Sequence, residues 1–308
     1  MQGKVFVTGG SGFVGSAVIE ELVSREYSVN ALTHRRKITI GGDRVRSVEG
    51  SLFDPTALRA GMAGCSAVIH IVGIIMEKRS KGITFERLHV EGTRNVVDAA
   101  KASGIQRHVQ MSALGTRAGA VSDYHKTKFL AEEYVRGSGL EWTIFRPSLI
   151  HGPAGEFMQM EAGWARHSKP PFLFMPYFGR GVMGLGGAGM LQPVYVKDVA
   201  RAFVDALGSP KTISEIYPLG GPDVITWPQM HRICAEAVTG KKPCVVPLPA
   251  WYAKMIAAIT PAALLPFNRD QVIMSQEDST CDMAKFKADF GWETQPFEAT
   301  VKGYAKQL

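Results

Sequence analysis

Apolar residues in the first third of the chain fall in short runs separated by stretches of helical spacing. That alternation predicts a parallel sheet built from βαβ units. Lys4–Thr8 (KVFVT) and Ser28–Leu32 (SVNAL) read as buried strands, and between them Val14, Ala17, Val18 and Leu22 recur on one helix face. Val45–Glu49, Ala67–Ile71 and His108–Met111 predict strands three to five, and Trp142–Phe145 a sixth. A helix is expected from about Thr84 to Ala102, with Phe85, Leu88, Val96, Val97 and Ala100 on its apolar side.

Beyond Pro153 the pattern loosens. Residues 179–189 hold six glycines (Gly179, Gly181, Gly184, Gly186, Gly187 and Gly189), which predicts a flexible loop. Val194–Val196 followed by Asp198–Leu207 restores a strand and a helix, and from about Ser214 short elements and prolines follow. The expected organisation is α/β: a doubly wound parallel sheet over residues 1–153, completed by about 192–210. A smaller C-terminal lobe is expected to draw on 154–191 and 211–308.

Composition narrows the function classes. With 308 residues, 45% hydrophobic and 20% charged, the chain reads as an ordinary globular protein, not a disordered or fibrous one. Its 35 basic and 28 acidic residues leave a net charge of +7, which favours anionic phosphates or a membrane surface. The basic residues are scattered and never interleave with aromatics, so nucleic acid is not an expected partner. Cys65, Cys234, Cys244 and Cys281 lie far apart, without CxxC spacing, which suits a reducing cytoplasm. Eight dispersed histidines predict no metal site. No leader peptide is expected before Lys4, and no apolar run reaches the ~18–20 residues of a membrane span.

Thr8–Gly15 reads TGGSGFVG, with glycines at 9, 12 and 15. The first allows a tight turn, the second lets backbone approach a pyrophosphate, and the third lets the helix pack closely on the strand. Thr8, Gly9, Gly10, Ser11, Gly12, Phe13, Val14 and Gly15 are therefore candidate dinucleotide contacts, with the helix N-terminus supplying amide donors. The loop follows a strand, opens a helix and sits in a βαβ unit, as a Rossmann fingerprint requires.

The GxxGxxG spacing after a Thr resembles the short-chain dehydrogenase/reductase superfamily, specifically its extended and atypical branches. Glu49–Asp54 (EGSLFD), with Ser51 and Leu52, resembles the segment whose Asp contacts the adenine, here Asp54. Val68–Gly73 (VIHIVG), with Ile71 and Val72, resembles the fourth-strand cofactor wall. VEGTRN at 90–95 resembles the helix-four signature, and Arg146-Pro147-Ser148 and VYVKD at 194–198 match later landmarks. The resemblance covers residues 4–230 and implies an NAD(P)-dependent enzyme fold with a substrate lobe.

NAD-preferring Rossmann proteins end the second strand on a carboxylate. Here that stretch reads Ala31-Leu32-Thr33-His34-Arg35-Arg36, and a pair of guanidinium groups instead suits a 2′-phosphate. NADP(H) is the expected cofactor, with His34, Arg35 and Arg36 as contacts and NAD as the alternative.

Tyr124 and Lys128 stand four apart in YHKTK, on one helix face, about a dozen residues after the fifth strand, where the family places its YxxxK. A neighbouring ammonium is expected to lower the phenol pKa and fit Tyr124 for proton exchange with a carbonyl or hydroxyl. Two family positions depart from the pattern. His89 stands where a catalytic Asn usually precedes the VxGT signature, and the strand-five serine matches either Ser112 or Ala113. Ser122 is an alternative source of the hydroxyl. The SALG stretch followed by YxxxK resembles the subgroup containing the nucleotide-binding accessory subunit of respiratory complex I and its bacterial relatives.

Three functions fit these residues: an oxidoreductase acting on a carbonyl or hydroxyl carbon, a cofactor-bound scaffold or sensor in a respiratory assembly, and a nucleotide-sugar epimerase or dehydratase. His70 is expected to pack beside the cofactor site. Met158, Met160, Met175, Met183 and Met190 read either as packing or as an adaptable lining for a lipophilic substrate. Residues 248–267 are almost wholly apolar, with Lys254 the only charge. They read either as a buried lobe helix or as an exposed patch for a quinone, an isoprenoid or the periphery of the inner membrane.

Overall fold

A computed structural model describes residues 3–34, 38–260, 265 and 267–308. In chain order the first elements are β1 (Lys4–Thr8), α1 (Phe13–Ser24), β2 (Ser28–Thr33), β3 (Val45–Glu49), α2 (Pro55–Met62) and β4 (Ala67–His70). A π-helical turn at Glu86–Glu91 leads into α3 (Gly92–Ala102), followed by β5 (Arg107–Met111), α4 (Asp123–Arg136) and β6 (Glu141–Pro147). Next come β7 (Ile150–His151), α5 (Glu156–Ala165), β8 (Met175–Gly179), β9 (Met190–Leu191), β10 (Val194–Tyr195), α6 (Val196–Leu207) and β11 (Glu215–Leu219). The remainder is β12 (Ile225–Thr226), α7 (Trp227–Thr239), β13 (Val245–Pro249), α8 (Ala250–Ile259), α9 (Arg269–Met274), α10 (Ala284–Phe290) and α11 (Phe297–Tyr304).

Two compact units result. The first takes Met1–Pro147, Val196–Leu219 and Met283–Trp292. Its seven-stranded sheet is wholly parallel in the order β11-β6-β5-β4-β1-β2-β3. The strand order reverses between β1 and β4, and open α/β sheets bind ligands at the carboxyl ends of such a pair. Phe6, Leu58, Val68, Val96, Val97 and Ile144 form the core beneath α2 and α3. On the other face α1 packs against α6, whose Phe203 stacks on Phe145 of β6 at 4.7 Å. Both faces of the sheet are covered at its centre, which is why β1 and β4 read as nearly continuous apolar runs, while the edge strand β3 is half-exposed.

β11 belongs to this sheet, although the sequence pattern assigned residues from 211 onward to the smaller lobe. Its register against β6 runs from Glu215↔Thr143 to Leu219↔Pro147. Pro218 is tolerated because β11 is an edge strand. The expected continuous helix from Thr84 begins instead as the π-helical turn.

The second unit takes Ser148–Tyr195, Gly220–Asp282 and Glu293–Leu308. Met158, Leu191, Met230, Cys234, Phe297 and Val301 form one core there, and Trp164, Met175 and Ala235 another. Met158 and Met175 are thus packing residues, while Met183 is exposed. Among the described residues no helix is long and apolar enough to cross a membrane.

Candidate functional site

β1 delivers the chain into the glycine loop. Gly9 adopts φ +78°, where a Cβ would press on the Val72 nitrogen at 3.1 Å. Its carbonyl accepts from Gly12 N at 3.0 Å, closing the turn. Gly15 makes the tightest approach: a Cβ there would lie 2.1 Å from Gly9 O, so the helix can sit on the turn only as glycine. Gly12, the exposed N-cap of α1, is open by contrast, since a Cβ would meet only Gly9 O at 3.3 Å. No side chain caps α1 and no acid occupies its first turn, so its leading amides and positive dipole end are available to an anion. Ser11 is exposed, Phe13 half-buried, and Gly10 and Val14 buried.

The two strands flanking the switch point are clamped together. The buried Thr8 hydroxyl pairs with His70 Nδ1, and Ile71 N donates to Thr8 O at 3.2 Å. Burial holds the His70 imidazole well below its usual range, and its Nε2 has no hydrogen-bond partner among the described residues. Beyond β4, Ile71 is buried, Val72 half-buried and Gly73 exposed.

Asp54 is the N-cap of α2, its Oδ1 accepting from Thr56 N at 2.9 Å and Ala57 N at 3.1 Å. Ser51 Oγ accepts from Phe53 N at 3.2 Å. Leu52 sends its side chain into the core, which leaves only its main chain to meet a ligand, and Asn95 Nδ2 donates to its carbonyl at 3.0 Å. His34 is exposed after β2, and Arg35 and Arg36 lie outside the described residues.

α4 opens on Ser122, whose hydroxyl oxygen caps the helix by accepting from His125 N at 3.2 Å. Ser112 is buried and its hydroxyl donates to Thr116 Oγ1 at 3.3 Å. Both serines expected to hold a substrate oxygen are therefore engaged internally. Lys128 is 2% exposed, and its Nζ donates to the Met111 carbonyl at 3.3 Å. A Cβ on Gly73 would sit 3.0 Å from that Nζ. The ends of β4 and β5 thus converge with α4 on one ammonium, which burial lowers to about 8 against the opposing attraction of Glu132. Glu132 is itself buried and held bidentately by Arg146, through Nε at 2.9 Å and through Nη2.

Tyr124 is half-buried, in edge contact with Phe85, His89 and His125 at centroid distances of 5.8, 5.4 and 5.3 Å. Burial pushes its phenol up to about 12. The expected lowering by Lys128 is not found, because desolvation dominates the phenol.

His89 closes the back of the site. Its Nε2 accepts from Ile74 N at 3.2 Å, which places the ring proton on Nδ1, 3.0 Å from Thr127 Oγ1. Thr127 passes the chain on to the Asp123 carbonyl at 2.9 Å. Burial, then the Lys128 charge, lowers His89 to about 2, so the ring is neutral. Sequence reading registered His89 only as a missing Asn and missed Thr127, Asn95, Glu132 and the ion-pairing role of Arg146.

Pro147 ends β6, its carbonyl accepting from Leu114 N at 2.9 Å. Ser148 follows in the second unit, its hydroxyl donating to the Ser279 carbonyl at 2.8 Å. Among the described residues no group of three His, Cys, Asp or Glu side chains could hold a metal ion.

Residues 9–163, half the chain, match the profile of the NAD(P)H-binding family. The chain is 31% identical over 261 residues to NADH dehydrogenase (ubiquinone) 1 alpha subcomplex subunit 9, mitochondrial, of Arabidopsis thaliana. That match covers 82% of this chain but 62% of the plant protein, under two thirds of its length. It is 28% identical over 252 residues to a ceramide reductase of Caulobacter vibrioides, covering 80% of this chain and 74% of that one. The UDP-glucose 4-epimerase of Thermus thermophilus, solved with NAD, superposes with a TM-score of 0.76 at 23% identity, over 99% of this chain and 98% of that one, a likeness of fold. On the profile match, the glycine loop and the parallel sheet together, the chain belongs to the NAD(P)H-binding family.

Proposed function

We propose that the protein is an NADP(H)-dependent reductase of a carbonyl group on a small lipophilic molecule. One observation carries the reading: the buried Lys128 ammonium lies where the ends of β4 and β5 meet α4, one helical turn from Tyr124. The glycine loop fits a dinucleotide, since the turn tolerates no Cβ at Gly15, leaves Gly12 open and presents uncapped helix amides. In this reading Thr8 to Gly15 hold the pyrophosphate, the carbonyl ends of β3 and β4 flank the adenosine, and Lys128 orients the ribose. The preference for NADP(H) rests on His34, Arg35 and Arg36 following a β2 that ends without a carboxylate. The reduced nicotinamide, when bound, supplies the electron pair for the carbonyl carbon.

This chain supplies the proton. A phenol near 12 stays protonated at neutral pH, so Tyr124 is set to donate to a developing alkoxide rather than to abstract. Lys128, charged below about 8, sits to stabilise the phenolate left behind. Phe85 and His89 pack against the Tyr124 ring and fix its orientation. The lipophilic substrate class draws on the similarity to a ceramide reductase.

The complex I relative supports a second reading, a cofactor-bound scaffold in a larger assembly. The capping of α4 by Ser122 and the replacement of the family's Asn by His89 favour it. The fold neighbours keep an epimerase in view, but the same departures count against it. Tyr124→Phe separates the readings. For a reductase, turnover of a lipophilic ketone should fall by roughly 100-fold with NADPH affinity little changed. A scaffold should bind NADPH, turn over nothing and be indifferent to the substitution. Calorimetry should give NADPH at least ~10-fold tighter binding than NADH, and equal affinities refute the NADP(H) assignment.

A further inference from the structure

We propose that one face of the second unit, formed by the β8–β9 loop and α8, docks on an anionic lipid bilayer. The two elements are joined at one end. β8 and β13 pair in parallel from Met175↔Val245 to Gly179↔Pro249, so the glycine-rich loop leaving β8 and the helix leaving β13 start side by side. Trp251 Nε1 donates to the Val182 carbonyl at 3.0 Å, and a Cβ on Gly184 would touch Leu248 C and Pro249 N at 3.1 Å.

This face is apolar in the wrong direction for a core. α8 buries only Ala250 and Ala253. Trp251, Met255 and Ile259, spaced four apart and hence on one stripe, are 52%, 47% and 76% exposed. In the loop Val182, Met183 and Leu185 are 81%, 71% and 72% exposed. A monomer rarely leaves so many large apolar side chains together in water unless the face meets something. Trp251 and Tyr252 beside Lys254 carry the amphipathic chemistry of a membrane interface.

Charge selects the occupant. No Asp or Glu occurs between Glu161 and Asp198 or between Glu236 and Asp270, whereas the average frequency would place about six there. On the face itself the loop carries Arg180 and α8 carries Lys254, while Arg166, Lys169, Lys241 and Lys242 precede β8 and β13, at the opposite end of the strand pair. Glu277 and Asp278 stand at the far end of the loop, where Gly189 backs onto the Glu277 carbonyl and Asp278 accepts from Met190 N, and Asp270 stands in the first turn of α9, which packs against α8. A second copy of the chain would bring the same cations face to face. An anionic surface neutralises them while taking up the apolar tips, and salt weakens the attraction.

The test uses the full chain with phosphatidylcholine vesicles containing or lacking about one-third phosphatidylglycerol. Co-sedimentation should occur with the anionic vesicles, weaken in high salt, and fall about tenfold in the V182S/M183S/L185S variant. Those three side chains pack on little, so unchanged circular dichroism and unchanged NADPH binding show that the variant is folded. Binding that is indifferent to phosphatidylglycerol or to the triple substitution overturns the proposal, as does no vesicle binding at all. If sedimentation velocity instead shows self-association that the triple variant abolishes, the face is an interface between copies and the bilayer assignment is wrong.

Discussion

Replacing Lys128 with methionine exchanges a buried ammonium for an apolar side chain of similar length. The folded state holds this lysine at about 8, against an ordinary value of 10.5. A difference of that size corresponds to about 3 kcal/mol of destabilisation while the group is charged. Methionine avoids that cost and forfeits the 3.3 Å charge-assisted hydrogen bond to Met111 O, a carbonyl that keeps Gln110 Nε2 as a donor at 3.2 Å, a loss of about 1–2 kcal/mol. Glu132 keeps its bidentate partner Arg146, so no new buried charge is orphaned. The nucleotide-free variant should therefore be about 1–2 kcal/mol more stable than the parent at pH 7, a net gain from removing a desolvated charge. The sign of the pH dependence follows from the depressed value. Below about 8 both folded and unfolded lysines are charged and the full cost is present. Between about 8 and 10.5 the folded lysine sheds its proton while the unfolded one keeps it, so the parent gains up to about 3 kcal/mol, which closes the gap and then reverses it. Urea unfolding at steps from pH 7 to 10.5, read without nucleotide, measures this. NADPH affinity of the same variant should fall. A variant less stable than the parent at pH 7, or a gap that does not change with pH, refutes the assignment of Lys128 as a strained, functional charge.

Two further substitutions probe the frame of the site. Gly15→Ala forces a Cβ to within 2.1 Å of a backbone oxygen, so the loop must open. We expect a loss of more than about 2 kcal/mol in urea unfolding together with loss of NADPH binding, and normal behaviour in both would contradict the packing described. Arg146→Ala leaves the Glu132 carboxylate, 1% exposed, without its guanidinium. Stability should drop by about 3 kcal/mol, and adding Glu132→Gln should restore most of it, whereas no recovery would show that the arginine acts by packing alone.

Strand identity and the glycine loop are local properties and were readable from sequence alone. β1 and β3 occupy the predicted bounds, and β2, β4, β5 and β6 differ only at their ends. β1 and β4 are legible because strands buried on both faces are apolar along their run, whereas the half-exposed edge strand β3 shows as an alternating VRSVE. The TGGSGFVG turn was equally legible, since a positive φ at Gly9 and the contact at Gly15 are demanded within seven residues. The edge strand β11 was not. Its pairing with β6 depends on the α6 crossover returning the chain to the sheet, and Pro218 disguises it. Within the site, Tyr124 and Lys128 were visible as an i, i+4 pair, yet the sequence could not weigh desolvation against charge, and the fold decides for desolvation at both groups. The Asn95–Leu52, His89–Thr127 and Arg146–Glu132 contacts join residues 43, 38 and 14 positions apart. No periodicity encodes such partners. They meet only because the sheet order sets α3, α4 and β6 around the switch point, where buried polar groups must find one another once water is gone.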